Sequence, residues 1–225
     1  MRTRGKTYSW GGFMSSDCSV NPLYCEFNKV FVHYCDGNSF LGNREDTLEV
    51  NTSEIPVKRV YFRGRRILNE TLHALGTEFG LSGGEKFLLS GCSAGALAAL
   101  ANTNFVRKQV TSIAPNITQF GTLSLSGLFL MDEANVDGEP VMAKQMANIF
   151  NLSNASSSVS TECLAAPENE AEPWRCQTAE AALNFTDSPI FIVNSAQDAY
   201  QTPVSVHLSF FRKSLSLSLS LSLSL

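Results

Sequence analysis

Lys86-Phe87-Leu88-Leu89-Ser90-Gly91-Cys92-Ser93-Ala94-Gly95-Ala96-Leu97-Ala98-Ala99-Leu100-Ala101 is the stretch that decides the fold. Residues 86–90 form a mostly apolar run of strand length. Residues 94–101 are rich in Ala and Leu, which give up little on entering a helix. Between them, Gly91-Cys92-Ser93-Ala94-Gly95 matches G-x-S-x-G in the strand–turn–helix setting that a nucleophile elbow requires. A turn that sharp crowds its flanks, so Gly91 and Gly95 are expected to be positions that larger side chains would block. It lifts the Ser93 hydroxyl above the sheet edge at a helix N-terminus, where the Ala94 backbone N–H can donate to an oxyanion. Cys92 is a competing thiol nucleophile, but the residue before an elbow serine is expected to face the packed interior.

Outward from this stretch, strands and helices alternate. Lys29-Val30-Phe31-Val32-His33-Tyr34 reads as a buried strand, closed by Asp36-Gly37, and Pro189-Ile190-Phe191-Ile192-Val193-Asn194 as another. Ile67, Leu68, Leu72, Leu75 and Phe79 recur at helical spacing and predict a helix over residues 65–79, ended by Gly80 and Gly83-Gly84. Residues 141–150 read as a helix, and residues 151–173, rich in Ser, Asn and Glu, as a loop. The alternation predicts an α/β fold with a mostly parallel sheet and helices on both faces.

A serine nucleophile needs a base, and the base needs an orienting carboxylate. In this fold class the chain order is Ser, acid, His. Asp198 follows the last strand directly and so stands at a carboxyl end, where ligands and catalysis belong. Asp187 precedes that strand and reads as a turn residue. The chain has three histidines, His33, His73 and His207. His33 and His73 come before Ser93 and read as structural. His207 is the possible base, although nine residues after Asp198 leave little chain for a loop that folds back over Ser93.

The 225 residues are 44% hydrophobic and 17% charged with a formal net charge of −4, which suits one ordinary globular domain. No basic field suggests nucleic acid, and no apolar run is long enough for a membrane-spanning helix. Six cysteines without a C-x-x-C pair argue against a zinc ribbon, and no metal is expected. Their even number fits disulfides in an oxidising compartment, and free thiols in the cytosol equally. Sequons at Asn51, Asn69, Asn116, Asn151, Asn154 and Asn184 favour a secreted glycoprotein. No apolar segment follows the basic first residues as in a signal peptide, so the N-terminus is expected to be incomplete. Residues 214–225 are six Ser-Leu pairs. This low-complexity tail reads as a translated dinucleotide repeat or as a uniform amphipathic strand, apart from a domain spanning residues 1–213, and the true C-terminus is expected to be missing.

Four motifs in order resemble the pectin acetylesterase family, the plant and microbial relatives of the Notum carboxylesterase. They are Tyr34-Cys35-Asp36-Gly37-Asn38-Ser39-Phe40, Phe62-Arg63-Gly64-Arg65-Arg66-Ile67, Leu89-Ser90-Gly91-Cys92-Ser93-Ala94-Gly95, and Pro189-Ile190-Phe191-Ile192-Val193-Asn194-Ser195-Ala196-Gln197-Asp198. Asn21-Pro22 also fits. The resemblance implies an α/β-hydrolase-like fold, incomplete here, and a serine carboxylesterase that removes O-acetyl groups from an acetylated, pectin-like cell-wall polysaccharide, with Ser93 as nucleophile, Asp198 as acid, and no cofactor. It also implies a Gly-Gly-Gly-Trp stretch and a C-terminal histidine; Trp10-Gly11-Gly12 is a poor substitute for the first, and the Ser-Leu repeat replaces the region of the second. The chain is therefore expected to be inactive as given, and the alternative is a non-catalytic pseudoenzyme or gene fragment that at most binds glycan. Cys163 and Cys176 flank a polar loop and are candidates to close it, in keeping with the secreted character of the family. Arg63, Arg65 and Arg66 could greet an anionic galacturonan, or simply begin a packed helix. The acidic run at residues 168–172 reads as a solvated loop.

Overall fold

The computed structural model describes residues 11–51, 58–131, 138–196, 198, 200 and 201. His207 and the Ser-Leu tail lie outside the described residues. The chain divides into two units between His33 and Tyr34.

The described part of the first unit is a short, crosslinked segment. Cys18 and Cys25 are disulfide-bonded with Cα atoms 5.0 Å apart. Asn21 is buried because its amide donates to the Phe13 and Ser15 carbonyls at 2.7 and 2.9 Å. Lys29 donates to the carbonyls of Cys25 and Phe27. The strand expected over residues 29–34 is not formed. A strand needs a neighbouring row of backbone groups as well as apolar, β-branched side chains, and none of the described strands pairs with this segment. Val30 and Phe31 are accordingly about half exposed.

The second unit is built around three parallel strands, β3 (Lys86–Cys92), β4 (Gln119–Leu125) and β5 (Ile190–Val193), in that order across the sheet. A separate antiparallel pair joins β1 (Leu48–Val50) to β2 (Lys58–Val60). Helices α1 (Gly64–Thr77), α2 (Ala94–Ile113), α3 (Val141–Leu152), α4 (Thr161–Ala165) and α5 (Ala179–Asn184) complete the regular structure. The strand order follows from two crossovers, β3–α2–β4 and a longer one through α3, α4 and α5 to β5. This is the α/β, α/β-hydrolase-like architecture.

Helix α2 lies across one face of the sheet and runs to Ile113, well past the expected stop at Ala101. Asn102 and Thr103 look like helix breakers in sequence, but both are buried and bonded backwards along the helix. The Asn102 amide donates to the Ala98 carbonyl at 2.8 Å and the Thr103 hydroxyl to the Ala99 carbonyl at 2.9 Å. Thr103 also meets the Thr122 hydroxyl of β4 at 3.0 Å, a helix–sheet contact made by small polar side chains. Phe87 and Phe120 stack on neighbouring strands with centroids 5.6 Å apart. The opposite face carries Phe191 and Val193, both about half exposed.

The core is built between α2 and the segments that follow β4, with Ile190 of β5 packed against it. Leu97 and Leu100 of α2 pack with Leu41, Phe129, Met131, Met142, Phe150, Trp174 and the pair Cys163–Cys176. Each large side chain so buried stabilises the fold by roughly 1.5–3 kcal/mol relative to exposure. The expected loop over residues 151–173 is instead folded into α4 and the 3₁₀ turns Ala155–Ser158 and Pro167–Asn169. Its polar residues act as caps, which is why composition alone read as loop: the Ser160 side chain accepts from the Cys163 N–H at 3.2 Å. Cys163 and Cys176 are disulfide-bonded, with Cα atoms 5.8 Å apart across 13 residues. Replacing both by Ser is expected to lower unfolding stability by about 3 kcal/mol, the chain-entropy value for a loop of this length. Denaturant melts of the double variant check this; an unchanged midpoint would show that packing alone orders the segment.

Candidate active site

The turn from β3 into α2 sets Ser93 at φ 56° and ψ −125°, a conformation that a non-glycine residue holds only when its surroundings impose it. Three contacts impose it here. The Ser93 N–H donates to the Leu125 carbonyl at 2.8 Å, tying the turn to the end of β4. The Ser93 carbonyl accepts from Ala96 and Leu97 at 2.8 and 3.1 Å, which starts the helix. Gly91 passes so close to the first turn of α2 that an added Cβ would lie 2.0 Å from the Gly95 carbonyl oxygen. The crowding is one-sided: a Cβ on Gly95 would meet nothing within 4 Å. The expectation that both glycines are sterically required therefore holds for Gly91 and is corrected for Gly95, which sits in the helix with its Cα facing open space.

Ser93 and Ala94 are exposed. As the first residue of α2, Ala94 has an N–H with no acceptor inside the helix, so it points out of the N-terminus with the positive end of the helix dipole. Cys92 is exposed, which corrects the expectation that it faces the interior. Strand alternation turns it to the sheet face away from α2, the face that also carries the half-exposed Phe191 and Val193.

The register Cys92–Leu125–Val193 aligns the carboxyl ends of the three strands, so Ser93, Ser126 and Asn194 follow one another across the edge. The ends of β3 and β5 are two strand spacings apart, roughly 10 Å. Ser126 is held at φ 57°, with its N–H donating to the Val193 carbonyl at 2.6 Å. Asn194 accepts from the Leu128 N–H at 3.1 Å. Asp198 comes five residues after β5, at the same edge. Its carboxylate accepts from the Tyr200 N–H at 2.8 Å, the Gln201 N–H at 3.4 Å and the Gln201 side-chain amide at 3.1 Å. The Gln201 amide first, then the two backbone N–H groups, hold the Asp198 carboxyl below the ordinary range for an aspartate. Ser126 and Gln201 were not singled out by sequence reading. The period-two run Thr122-Leu123-Ser124-Leu125 was the available signal for the strand that ends at Ser126.

The remaining candidates have other duties. His33 is exposed and makes an edge-to-face contact with Phe31, and His73 is exposed on α1. Arg66 pairs with Glu45 at 2.5 Å, and Arg63 donates to the Glu45 carbonyl at 2.9 Å. Arg65 is buried, its guanidinium 3.9 Å from the Phe105 ring centroid and donating to the Ser158 carbonyl. Burial pulls the Arg65 guanidinium down to about 10, with the nearby Asp36 carboxylate opposing. The three arginines thus act as a packed helix start. Asp36 organises the Tyr34-to-Phe40 motif: its carboxylate accepts from the N–H groups of Asn38, Phe40 and Gly42 at 3.1–3.2 Å and holds Ser39 and Phe40 at φ 53° and 58°. In the acidic run Glu168 and Glu170 are exposed, while Glu172 pairs with Arg175 at 2.7 Å. Among the described residues no group of His, Cys, Asp and Glu could hold a metal ion, and no helix is long and apolar enough to cross a membrane.

Comparison with known proteins follows this geometry. Over 190 residues the chain is 33% identical to pectin acetylesterase 5 of Arabidopsis thaliana, covering 84% of this chain and 41% of that protein. It is 26% identical over 208 residues to the human palmitoleoyl-protein carboxylesterase NOTUM, covering 91% of this chain and 40% of that one. The chain thus spans about two-fifths of the length of these relatives. The solved structure of the Wnt deacylase Notum from Drosophila superposes with a TM-score of 0.72 at 24% identity, covering 88% of this chain and 55% of that one; this likeness concerns the fold. The pectinacetylesterase family profile matches residues 2–218, and the chain belongs to that family.

Proposed function

We propose that this chain carries the nucleophile and acid of a secreted serine carboxylesterase that removes O-acetyl groups from a pectin-like polysaccharide. The backbone of Ser93, φ 56° and ψ −125° at a strand-to-helix turn closed by Gly91, is the observation that carries the reading. Ser93 Oγ attacks the ester carbonyl carbon while a histidine takes its proton. The developing oxyanion is met by the Ala94 N–H. The same histidine returns the proton to the departing sugar hydroxyl, leaving an acetyl-enzyme that water cleaves to acetate. Asp198 orients and stabilises the imidazolium. His207 is the one histidine of this sequence that follows Asp198. The substrate class rests on the Arabidopsis pectin acetylesterases, and the exposed sequon residues Asn116, Asn154 and Asn184 agree with secretion and glycosylation.

The test is covalent labelling with a fluorophosphonate in buffer containing imidazole, which stands in for a base that the chain's own histidine does not supply. One phosphonyl group is expected on the peptide containing Ser93 and none in Ser93→Ala. A chain that stays unlabelled while still binding acetylated pectin would favour a glycan-binding protein without catalysis.

A further inference from the structure

Four polar contacts of one buried residue, Gln201, three of them through its side chain, carry an inference that rests on the reading of Asp198 as the catalytic acid. Gln201 is 4% exposed. Its carbonyl oxygen accepts from the Leu130 N–H at 2.9 Å. Its amide nitrogen donates to the Leu128 carbonyl at 3.0 Å and to Asp198 Oδ2 at 3.1 Å. Its backbone N–H reaches Asp198 Oδ1 at 3.4 Å.

These partners settle which end of the amide is which. The two ends of a glutamine amide are told apart only by what they bond. The Leu130 N–H can only donate and the Leu128 carbonyl can only accept, so the oxygen faces the first and the nitrogen the second. The second amide proton is then committed to the Asp198 carboxylate. The segment that reads the amide is itself pinned: Leu128 is bonded through its N–H to Asn194, and Gly127 packs against α2, where an added Cβ would lie 2.5 Å from the Ala96 Cβ. The chain of contacts therefore runs from the first turn of α2, beside Ser93, through residues 127–130 to Gln201 and Asp198.

We propose that Gln201 is the positioning residue of the acid, fixing the orientation of the Asp198 carboxylate relative to the β3–α2 turn by donating one amide proton to Oδ2. A neutral donor is suited to this task, since it holds the carboxylate without competing with the imidazolium for its charge. The depressed Asp198 carboxyl agrees with it: a group lowered in the folded state contributes stability above the unfolded pKa, and loses it as pH falls through the folded value.

The experiment is a double-mutant cycle of thermal unfolding at neutral pH on the full chain, with Gln201→Glu, Asp198→Asn and the pair. Gln201→Glu removes the donor and sets two carboxylates together. Its destabilisation is expected to be at least halved in the Asp198→Asn background, and the Asp198 carboxyl carbon, followed by NMR, to titrate at higher pH in Gln201→Glu than in the parent. Equal melting shifts in both backgrounds with an unmoved titration would overturn the proposal and leave Gln201 as a tie for residues 128–130 alone. A measurement that needs no Gln201 variant guards against misfolding: one side-chain amide proton of Gln201 is expected to exchange slowly in the parent and to shift in Asp198→Asn, and identical spectra would also overturn it. Neither readout depends on turnover. Absent labelling of Ser93 with an intact cycle would sink the esterase reading and spare this one, and the converse result would do the reverse.

Discussion

Gly91→Ala is expected to destabilise the protein by at least about 3 kcal/mol, while Gly95→Ala, four residues on in the same pentapeptide, leaves stability unchanged or raises it by roughly 0.5–1 kcal/mol. The difference comes from what each new methyl would meet. At Gly91 it would lie 2.0 Å from the Gly95 carbonyl oxygen, 2.2 Å from its carbon and 2.7 Å from the Ala96 nitrogen, all backbone atoms of a helix start that cannot swing aside. Relief would require α2 to move off β3, and α2 is anchored by buried Leu97 and Leu100, which belong to the core. At Gly95 the methyl enters open space and replaces the least favourable helix residue after proline with the most favourable one. Thermal melts of the two variants check this. A Gly91→Ala chain that melts with the parent would mean that the elbow yields easily, and the strained Ser93 backbone would then lose its status as an imposed geometry.

The parts of the fold that were legible in the sequence are those whose side chains announce their burial locally. β3 and β5 are short apolar runs, and the expected helix over residues 141–150 is realised as α3, extended to Leu152. β4 was missed because its row toward α2 is Thr122 and Ser124, both buried. The Thr122 hydroxyl is satisfied by Thr103, 19 residues away in sequence, while the Ser124 hydroxyl is buried without a hydrogen-bond partner. The same non-locality hid the length of α2, whose Asn102 binds not only Ala98 but also the Ser39 carbonyl at 2.7 Å. Residues 29–34 failed in the opposite sense: their composition is that of a strand, but pairing is a property of two segments, and composition describes one.

The candidate site divides along the same line. Ser93, Ala94 and Gly91 could be read from a pentapeptide because an elbow is a local structure. Asp198 could be read from its place after a strand. Gln201 could not, since its contacts with Leu128 and Leu130 span 73 and 71 residues. A lone glutamine three residues after an aspartate carries no signal until the fold brings residues 126–131 alongside. Cys92 shows the limit of analogy: the interior position expected for the residue before the serine is an exposed one here.

The purified 225-residue chain is expected to hydrolyse an aryl acetate no faster than buffer, even though Ser93 is labelled by a fluorophosphonate once imidazole supplies a base. A triad that lacks one member retains only about 10³–10⁴-fold acceleration over water, and that remainder depends on a complete oxyanion hole. The Ala94 N–H, at the start of α2, is one such donor at this edge. Of the three histidines, only His207 follows Asp198 in the chain, the order expected of the base. Asp198 already accepts from Tyr200 and Gln201, and the buried Gln201 ties it to Leu128 and Leu130. From there the imidazole of His207 would have to come within about 3 Å of the Ser93 hydroxyl, two strand spacings from where β5 ends. Six residues after Gln201 is a short excursion for that reach. Turnover measured on the parent, Ser93→Ala and His207→Ala decides the matter: robust hydrolysis that disappears in both variants would overturn this expectation and make His207 the base, whereas background rates in all three are the expected result.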